Sequence, residues 1–104
     1  MVTIRLFCAG GFSTGILVKR MEEAAQKRNI DADIKAYSQS LMERTFDTET
    51  VDVALIGPQI AFTIQNIKKV CDEKGVPFEI IPSLDYGRLN GDRVLDLALQ
   101  IVNR

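Results

Sequence analysis

The feature that most constrains the fold is a pattern of short apolar runs alternating with helical periodicity, which occurs four times in 104 residues. The apolar runs, which predict strands, lie at residues 2–7, 33–37, 51–56 and 78–81. The helical patterns lie at residues 16–28, 40–46, 58–74 and 94–101. Connections this short join consecutive strands only as parallel crossovers, so the pattern predicts an α/β protein with a parallel sheet.

The apolar character of each strand predicts the strand order. The first and third predicted strands are the more apolar and belong in the middle, whereas residues 33–37 alternate between polar and apolar side chains, as an edge strand does. The resulting order, 2-1-3-4, defines a three-layer, flavodoxin-like sandwich with helices on both faces of a four-stranded sheet. Ligands of such sheets bind where the order reverses, here at the carboxyl ends of the first and third strands. The length predicts one domain over residues 1–104.

Several residues mark the ends of the predicted helices. Pro58 suits the first turn of the third helix, and Gly75 suits a left-handed residue at its end. Ser40 and Glu43 have the spacing of a capping box, which predicts the start of a short second helix. Residues 83–91 are polar and are expected to form a loop before the last helix.

A glycine-rich segment follows the first strand at the edge where a ligand is expected. It begins with Cys8 and continues as Ala9, Gly10, Gly11, Phe12, Ser13, Thr14 and Gly15. Backbone N–H groups of such a turn, next to a helix N-terminus, suit a phosphate or another oxyanion. The same helix end stabilises a thiolate, so Cys8 is a candidate nucleophile beside an oxyanion site. Two other interpretations remain open: Cys8 as a small buried residue, and Ser13 and Thr14 as simple helix caps.

Composition and charge exclude several classes of partner and of catalytic or metal site. The net charge of −1 and the lack of charge runs do not favour a nucleic-acid partner. No apolar run approaches the roughly 20 residues of a membrane span, and no signal-peptide pattern is seen, so a cytoplasmic location is expected. The absence of histidine rules out a Cys–His pair and most zinc sites within the chain, and we expect neither a metal nor a cofactor. Cys71, on an apolar helix face with Ile64 and Ile67, is predicted to be a core residue.

Three segments together resemble the IIB components of the lactose/cellobiose family of bacterial sugar phosphotransferase systems. They are the run LFCAGGFST at residues 6–14, the turn Gly57-Pro58-Gln59, and the segment from Ile81 to Gly87. The resemblance implies that Cys8 accepts a phosphoryl group from a histidine of a separate IIA protein. It also implies that Cys8 then passes the group to a disaccharide bound by a membrane IIC transporter. Lactose, cellobiose and chitobiose-type sugars all remain open.

Accessory residues are expected at the same edge of the sheet. Gln59 carries an amide that can reach a phosphoryl group, and Tyr86 and Arg88 lie in the segment after the fourth strand. Tyr86 and Arg88 have three possible roles: contact with the phosphate, contact with a partner protein, or exposure to solvent alone.

The main alternative is a cysteine hydrolase. Low-molecular-weight tyrosine phosphatases and related arsenate reductases also place a cysteine after the first strand of a similar sheet. Their loop needs an arginine six positions after the cysteine, where this chain has Thr14. Asp85 and Tyr86 are similar to the loop segment that carries the leaving-group acid of those phosphatases, but two loop residues are a weak signal. A non-catalytic anion-binding module is a third interpretation, which accounts for the glycines but not for Cys8.

Overall fold

The computed structural model describes residues 1–9 and 12–103, with only the backbone described for Phe12 and Ser13. The strands are β1 (Val2–Cys8), β2 (Ala32–Ser38), β3 (Val53–Ile56) and β4 (Phe78–Ile80). The α-helices are α1 (Phe12–Lys27), α2 (Met42–Thr48), α3 (Ile64–Lys74), α4 (Ser83–Gly87) and α5 (Gly91–Val102). Short 3-10 helices, Gln39–Leu41 and Pro58–Thr63, precede α2 and α3.

The four strands form one parallel sheet in the order β2-β1-β3-β4, which confirms the predicted flavodoxin-like arrangement. In the register of β1, Cys8 lies opposite Ser38 of β2, and Phe7 lies opposite Ile56 of β3. The carboxyl ends of β1, β2 and β3 therefore meet at one edge of the sheet. All four residues of β3 are buried, as expected for a central strand.

Each face of the sheet is covered by its own apolar cluster. Side chains of β1 and β3 pack on one face against α1 and α5, in a cluster that includes Ile4, Leu6, Leu17, Met21, Leu55, Val94 and Leu95. On the other face they pack against α2 and α3, in a cluster that includes Phe7, Met42, Ala54, Ile56, Ile67, Val70 and Cys71. The sheet is thus the middle layer of three.

The boundaries around Cys8 differ from the predicted ones. β1 continues through Cys8, and α1 begins at Phe12 instead of residue 16, so Phe12–Gly15 form the first turn of the helix. Gly15 was expected to belong to the loop, yet its φ is not positive and an added Cβ would meet no atom. One exposed glycine costs a helix only about 1 kcal/mol, which the packed helix can tolerate.

Other helix ends agree in part with the predictions. Gly75 has the predicted left-handed conformation, with φ of 70°. The capping box was wrong, because the hydroxyl of Ser38, not Ser40, accepts a bond from a backbone N–H, and a 3-10 helix intervenes before α2. The predicted third helix divides into a 3-10 helix starting at Pro58 and α3. The predicted loop at 83–91 contains α4.

Candidate functional site

Cys8 is the last residue of β1, at the carboxyl edge of the sheet. It is 4% exposed, and its Sγ donates to the backbone carbonyl of Tyr37 on β2 at 3.8 Å. On the β3 side, Gly57 N donates to Phe7 O at 2.8 Å, which continues the ladder to the end of the sheet. Cys8 therefore sits between two neighbouring strands with its thiol at the point where pairing ends.

Gly57 borders Cys8 closely. A Cβ on Gly57 would lie 3.4 Å from the Cys8 Cβ and 3.4 Å from Phe7 O, and it would collide with Oε1 of Gln59. The close approach explains why glycine suits this position. It also places the side chain of Gln59, an exposed residue, next to the strand end that carries Cys8.

The N-terminus of α1 has the electrostatic character of an oxyanion site. The first backbone N–H groups of a helix have no partner within the helix and lie at its positive end. The first turn of α1 contains no acidic residue, as is also true of α3, whereas α2, α4 and α5 carry Glu43, Asp85 and Asp92 there. No carboxylate in this turn of α1 thus competes with a bound anion. Ala9 is exposed, while Gly10, Gly11 and the side chains of Phe12 and Ser13 lie outside the described part of the chain.

Thr14 and Tyr86 are joined by a hydrogen bond that sequence reasoning missed. Their hydroxyl oxygens lie 2.6 Å apart, and the two residues are 2% and 8% exposed. The bond connects the first turn of α1 to α4, although the residues are 72 positions apart. Both had been singled out for the site separately, and no local pattern relates them to each other.

Arg88 and Asp85 lie in different surroundings. Arg88 is exposed, whereas Asp85 is buried and accepts a hydrogen bond from Arg93 Nε at 2.8 Å. Asp85 lines a cavity of about 200 Å³, and the other residues of that cavity are Pro82 and four residues of α5. Its carboxylate is therefore held against α5, which does not support the role of a leaving-group acid for Cys8.

The sequence also did not predict an ionic cluster that Arg5 of β1 forms with Asp33 of β2 and with Glu49. The guanidinium of Arg5, a residue only 2% exposed, bonds Asp33 Oδ2 at 2.9 Å and Glu49 Oε1 at 2.7 Å. Tyr37 donates its hydroxyl to Glu49 Oε2 at 3.0 Å, so the cluster also holds the residue whose carbonyl contacts Cys8. Burial alone would raise the pKa of Glu49, but the bonds from Arg5 and Tyr37 outweigh it and the pKa is lowered. The bond from Arg5 also lowers the pKa of Asp33.

The second cysteine has no access to solvent. Cys71 is 0% exposed and lies in the cluster on the α2 and α3 face, which confirms its predicted core position. Burial, with a smaller effect of the Asp72 charge, raises the pKa of its thiol to about 11. Cys71 therefore remains a thiol at neutral pH.

The sheet is flavodoxin-like, and its first strand ends in a cysteine. The helix that follows has no acidic residue in its first turn. The chain thus belongs to the class of α/β proteins that are suited to binding an oxyanion at a thiol. Within the described residues, no helix is long and apolar enough to cross a membrane. The family model for "PTS system, Lactose/Cellobiose specific IIB subunit" matches residues 3–97. The chain belongs to this family and is a phosphotransferase component of sugar transport.

Individual relatives agree with the family match. The chain is 37% identical over 103 residues to the PTS system galactose-specific EIIB component of Lactococcus lactis subsp. cremoris, covering 96% of this chain and 95% of that protein. A lactose-specific EIICB component of Lacticaseibacillus casei is 30% identical over 101 residues, which are 93% of this chain and 17% of that protein. The solution structure of a cellobiose-specific IIB component from Borrelia burgdorferi superposes with a TM-score of 0.81 and 38% identity, covering 98% and 92% of the two chains.

Proposed function

We propose that Cys8 carries a phosphoryl group between a phosphohistidine of a IIA protein and a disaccharide bound by a membrane IIC transporter. The observation that carries the proposal is the position of Cys8 where β1 ends, close to the acid-free N-terminus of α1. The chain has no histidine, and its other cysteine, Cys71, is sealed in the core. Cys8 is therefore the cysteine suited to hold the group.

The chemistry needs a nucleophile and donors for three oxygens. The Cys8 sulfur attacks phosphorus and forms an S–P bond as the P–N bond of the partner's histidine breaks, and the departing imidazole can take the thiol proton. Backbone N–H groups of residues 9–15 bind the phosphoryl oxygens, assisted by the hydroxyls of Ser13 and Thr14. Gln59, beside the strand end, is placed to add a contact from its amide. In the second step a sugar hydroxyl attacks phosphorus, the S–P bond breaks with its electron pair returning to sulfur, and the hydroxyl proton can return to the Cys8 thiolate.

Exposed apolar side chains support docking of both partners at this edge. Large apolar side chains that are more than 40% exposed occur in the element following each strand; they are Ile16, Leu41, Phe62 and Leu84. The remaining exposed ones, among described residues, are Met1 and Val102 near the chain termini. Phe62 is the most exposed of all, at 83%. An apolar surface around a reacting group suits a protein partner.

The family supports the choice of partners and location. The relative from Lacticaseibacillus casei joins a IIB-like segment to a IIC component in one chain, so we propose that this chain works with IIC at the cytoplasmic face of the membrane. The names of the three relatives contain galactose, lactose and cellobiose, and we propose that the transporter, which binds the sugar, determines which sugar is phosphorylated.

The arrangement of Thr14 and Asp85 favours a carrier over a phosphatase. Thr14 stands where a phosphatase needs arginine, and its hydroxyl bonds Tyr86. The carboxylate of Asp85 bonds Arg93. Water attack on a phosphocysteine here lacks the arginine that stabilises the transition state, so the intermediate survives until an acceptor arrives.

Reconstitution tests the proposal against the hydrolase. With phosphoenolpyruvate, the general phosphotransferase proteins, a IIA protein and membranes containing a IIC transporter, sugar phosphate should form only when this chain is added. The chain alone should not hydrolyse p-nitrophenyl phosphate, and its phosphorylated form should persist when sugar and transporter are omitted. Hydrolysis at roughly 1 per second or faster would contradict the carrier function.

A further inference from the structure

The hydrogen bond between Thr14 and Tyr86 ties the first turn of α1 to α4. The two hydroxyl oxygens are 2.6 Å apart, and both residues are buried. A bond between hydroxyls shielded from water is stronger than an exposed one and is not readily replaced by water. The first turn of α1 is therefore held in place by a contact from outside its own helix.

On the Tyr86 side of this bond, several contacts connect α4 to the rest of the fold. The Tyr86 ring belongs to the apolar cluster on the α1 and α5 face, and its backbone N–H donates to Pro82 O at 3.0 Å. The preceding residue, Asp85, bonds Arg93 through its carboxylate and accepts from Asn90 N through its backbone carbonyl at 3.0 Å. α4 is thus fastened to α5, and Tyr86 projects from a fixed position.

The Thr14 side belongs to the turn that is proposed to bind the phosphoryl group. Thr14 is the third residue of α1, so the bond to Tyr86 restrains the helix within its first turn. A hydroxyl can take part in two or more hydrogen bonds, so Thr14 can keep Tyr86 and still bond an oxyanion.

We propose that Tyr86 is a positioning residue, which acts through Thr14 to hold the first turn of α1 in register with Cys8 and thereby sets the rate of phosphoryl uptake. The inference rests on the proposed function of Cys8. In the step concerned, the S–P bond forms and the P–N bond of the partner's phosphohistidine breaks, with the electron pair and the thiol proton leaving on the imidazole. Tyr86 forms no bond to phosphorus and acts only on the geometry.

Four variants test the inference by the rate of phosphoryl uptake from phosphorylated IIA. Tyr86→Phe should lower the maximal rate about tenfold and leave the half-saturating concentration of IIA unchanged. Thr14→Val should lower the rate at least as much, because it also removes a hydroxyl that is proposed to bind the phosphoryl group. The double variant should be no slower than Thr14→Val, because Tyr86 acts through the Thr14 hydroxyl. Thr14→Ser keeps the hydroxyl and should retain a rate within about twofold of the wild type.

Thr45→Val is the matched control. Thr45 is 5% exposed, and its hydroxyl donates to Leu41 O at 2.7 Å, so the change also removes a buried threonine hydroxyl bond, but in α2. It should lower the free energy of unfolding about as much as Thr14→Val does and leave the uptake rate unchanged. If Thr45→Val slowed uptake as much as Thr14→Val does, the loss of rate would be a consequence of lower overall stability, and the inference would be overturned.

Amide exchange provides a second measurement that needs no partner. The N–H groups of residues 16–18 donate to carbonyls of the first turn of α1, so their exchange should accelerate about tenfold in Tyr86→Phe and stay unchanged in Thr45→Val. If the wild type takes up no phosphoryl group, the proposed function fails, and the exchange data still decide whether Tyr86 fixes the turn. Unchanged exchange, rates within twofold of wild type, or losses that multiply in the double variant would each overturn the inference.

Discussion

The two cysteines have the same chemistry and nearly the same burial, yet the fold gives them opposite surroundings. Cys8 ends a strand, beside the carbonyl of Tyr37 and next to Gly57, at the edge where the helix α1 begins. Cys71 lies within α3 and is enclosed by aliphatic and aromatic side chains. Exposed fractions of 4% and 0% do not by themselves distinguish the cysteine that is proposed to react from the one in the core.

For these two cysteines, position at the end of a strand or within a helix determines the surroundings of the thiol more than the depth of its burial does. A strand end and a helix start leave backbone groups unpaired, and these can bind an incoming anion. The middle of a helix leaves none, and burial there favours the neutral thiol.

The largest expected effect is a loss of stability on removal of Arg5, the cation of the ionic cluster with Asp33 and Glu49. Arg5→Met leaves Asp33 and Glu49 without their buried cation, and we expect a loss of about 3 kcal/mol or more in the free energy of unfolding. Arg28→Met removes a surface arginine that is paired with Asp92 and Asp96, and it should cost much less, because exposed ion pairs contribute little to stability. Urea denaturation of both variants measures the difference. Equal losses of unfolding free energy in the two variants would show that the cluster contributes no more to stability than a surface ion pair does.

Alkylation should show how well the core protects Cys71. In a Cys8→Ser variant at neutral pH, iodoacetamide should modify Cys71 at least about a hundredfold more slowly in the folded protein than in urea. A pKa raised from 9.0 to about 11 alone reduces the thiolate population by that factor. Mass spectrometry of timed samples gives both rates, and similar rates would contradict the sealed position of Cys71.

Alkaline pH should destabilise the protein through Cys71. Because the pKa of the thiol rises to about 11 on folding, the unfolded chain loses this proton first, and stability falls as pH increases from about 9 to 11. The loss from this group should reach roughly 2 to 3 kcal/mol. The difference in unfolding free energy between wild type and Cys71→Ala, followed from pH 8 to pH 11, isolates it. A constant difference would count against the raised pKa.

The smallest expected effect is on the rate of phosphoryl uptake when a methyl group is added at Gly57, next to the end of β1. Gly57→Ala would push the Gln59 amide away and press on Cys8, so we expect phosphoryl uptake to slow roughly tenfold. Gly87→Ala is the control, because an added Cβ there meets no atom. Comparable rates in the two variants would mean that the approach of Gly57 to Cys8 has no functional consequence.

Several features of the fold that depend on local sequence pattern were predicted correctly. Apolar character placed the first and third strands in the middle, helical spacing placed Cys71 in the core, and Gly75 ended α3 as expected. Each of these follows from the nature of a residue and its near neighbours. The position of Cys8 at the carboxyl edge followed in the same way.

What the sequence could not predict depends on contacts between distant segments. Arg5 interrupts an apolar strand, and only the arrangement of β2 and Glu49 reveals its partners. The bond between Thr14 and Tyr86 needs the packing of α4 against α1. α4 itself lies in a segment whose polar composition indicated a loop, yet it buries Tyr86. The start of α1 was misjudged because Gly15 was expected to interrupt a helix that includes it.

The location of the phosphoryl group on the chain decides whether Cys8 is the acceptor. The wild type, Cys8→Ser and Cys71→Ala are each incubated with phosphoenolpyruvate, the general phosphotransferase proteins and a IIA protein, and their peptides are examined by mass spectrometry under conditions that preserve S–P bonds. We predict one phosphoryl group in the wild type and in Cys71→Ala, on the peptide containing Cys8, and none in Cys8→Ser. A phosphoryl group that persists in Cys8→Ser, or that maps to another residue of the wild type, would contradict the account.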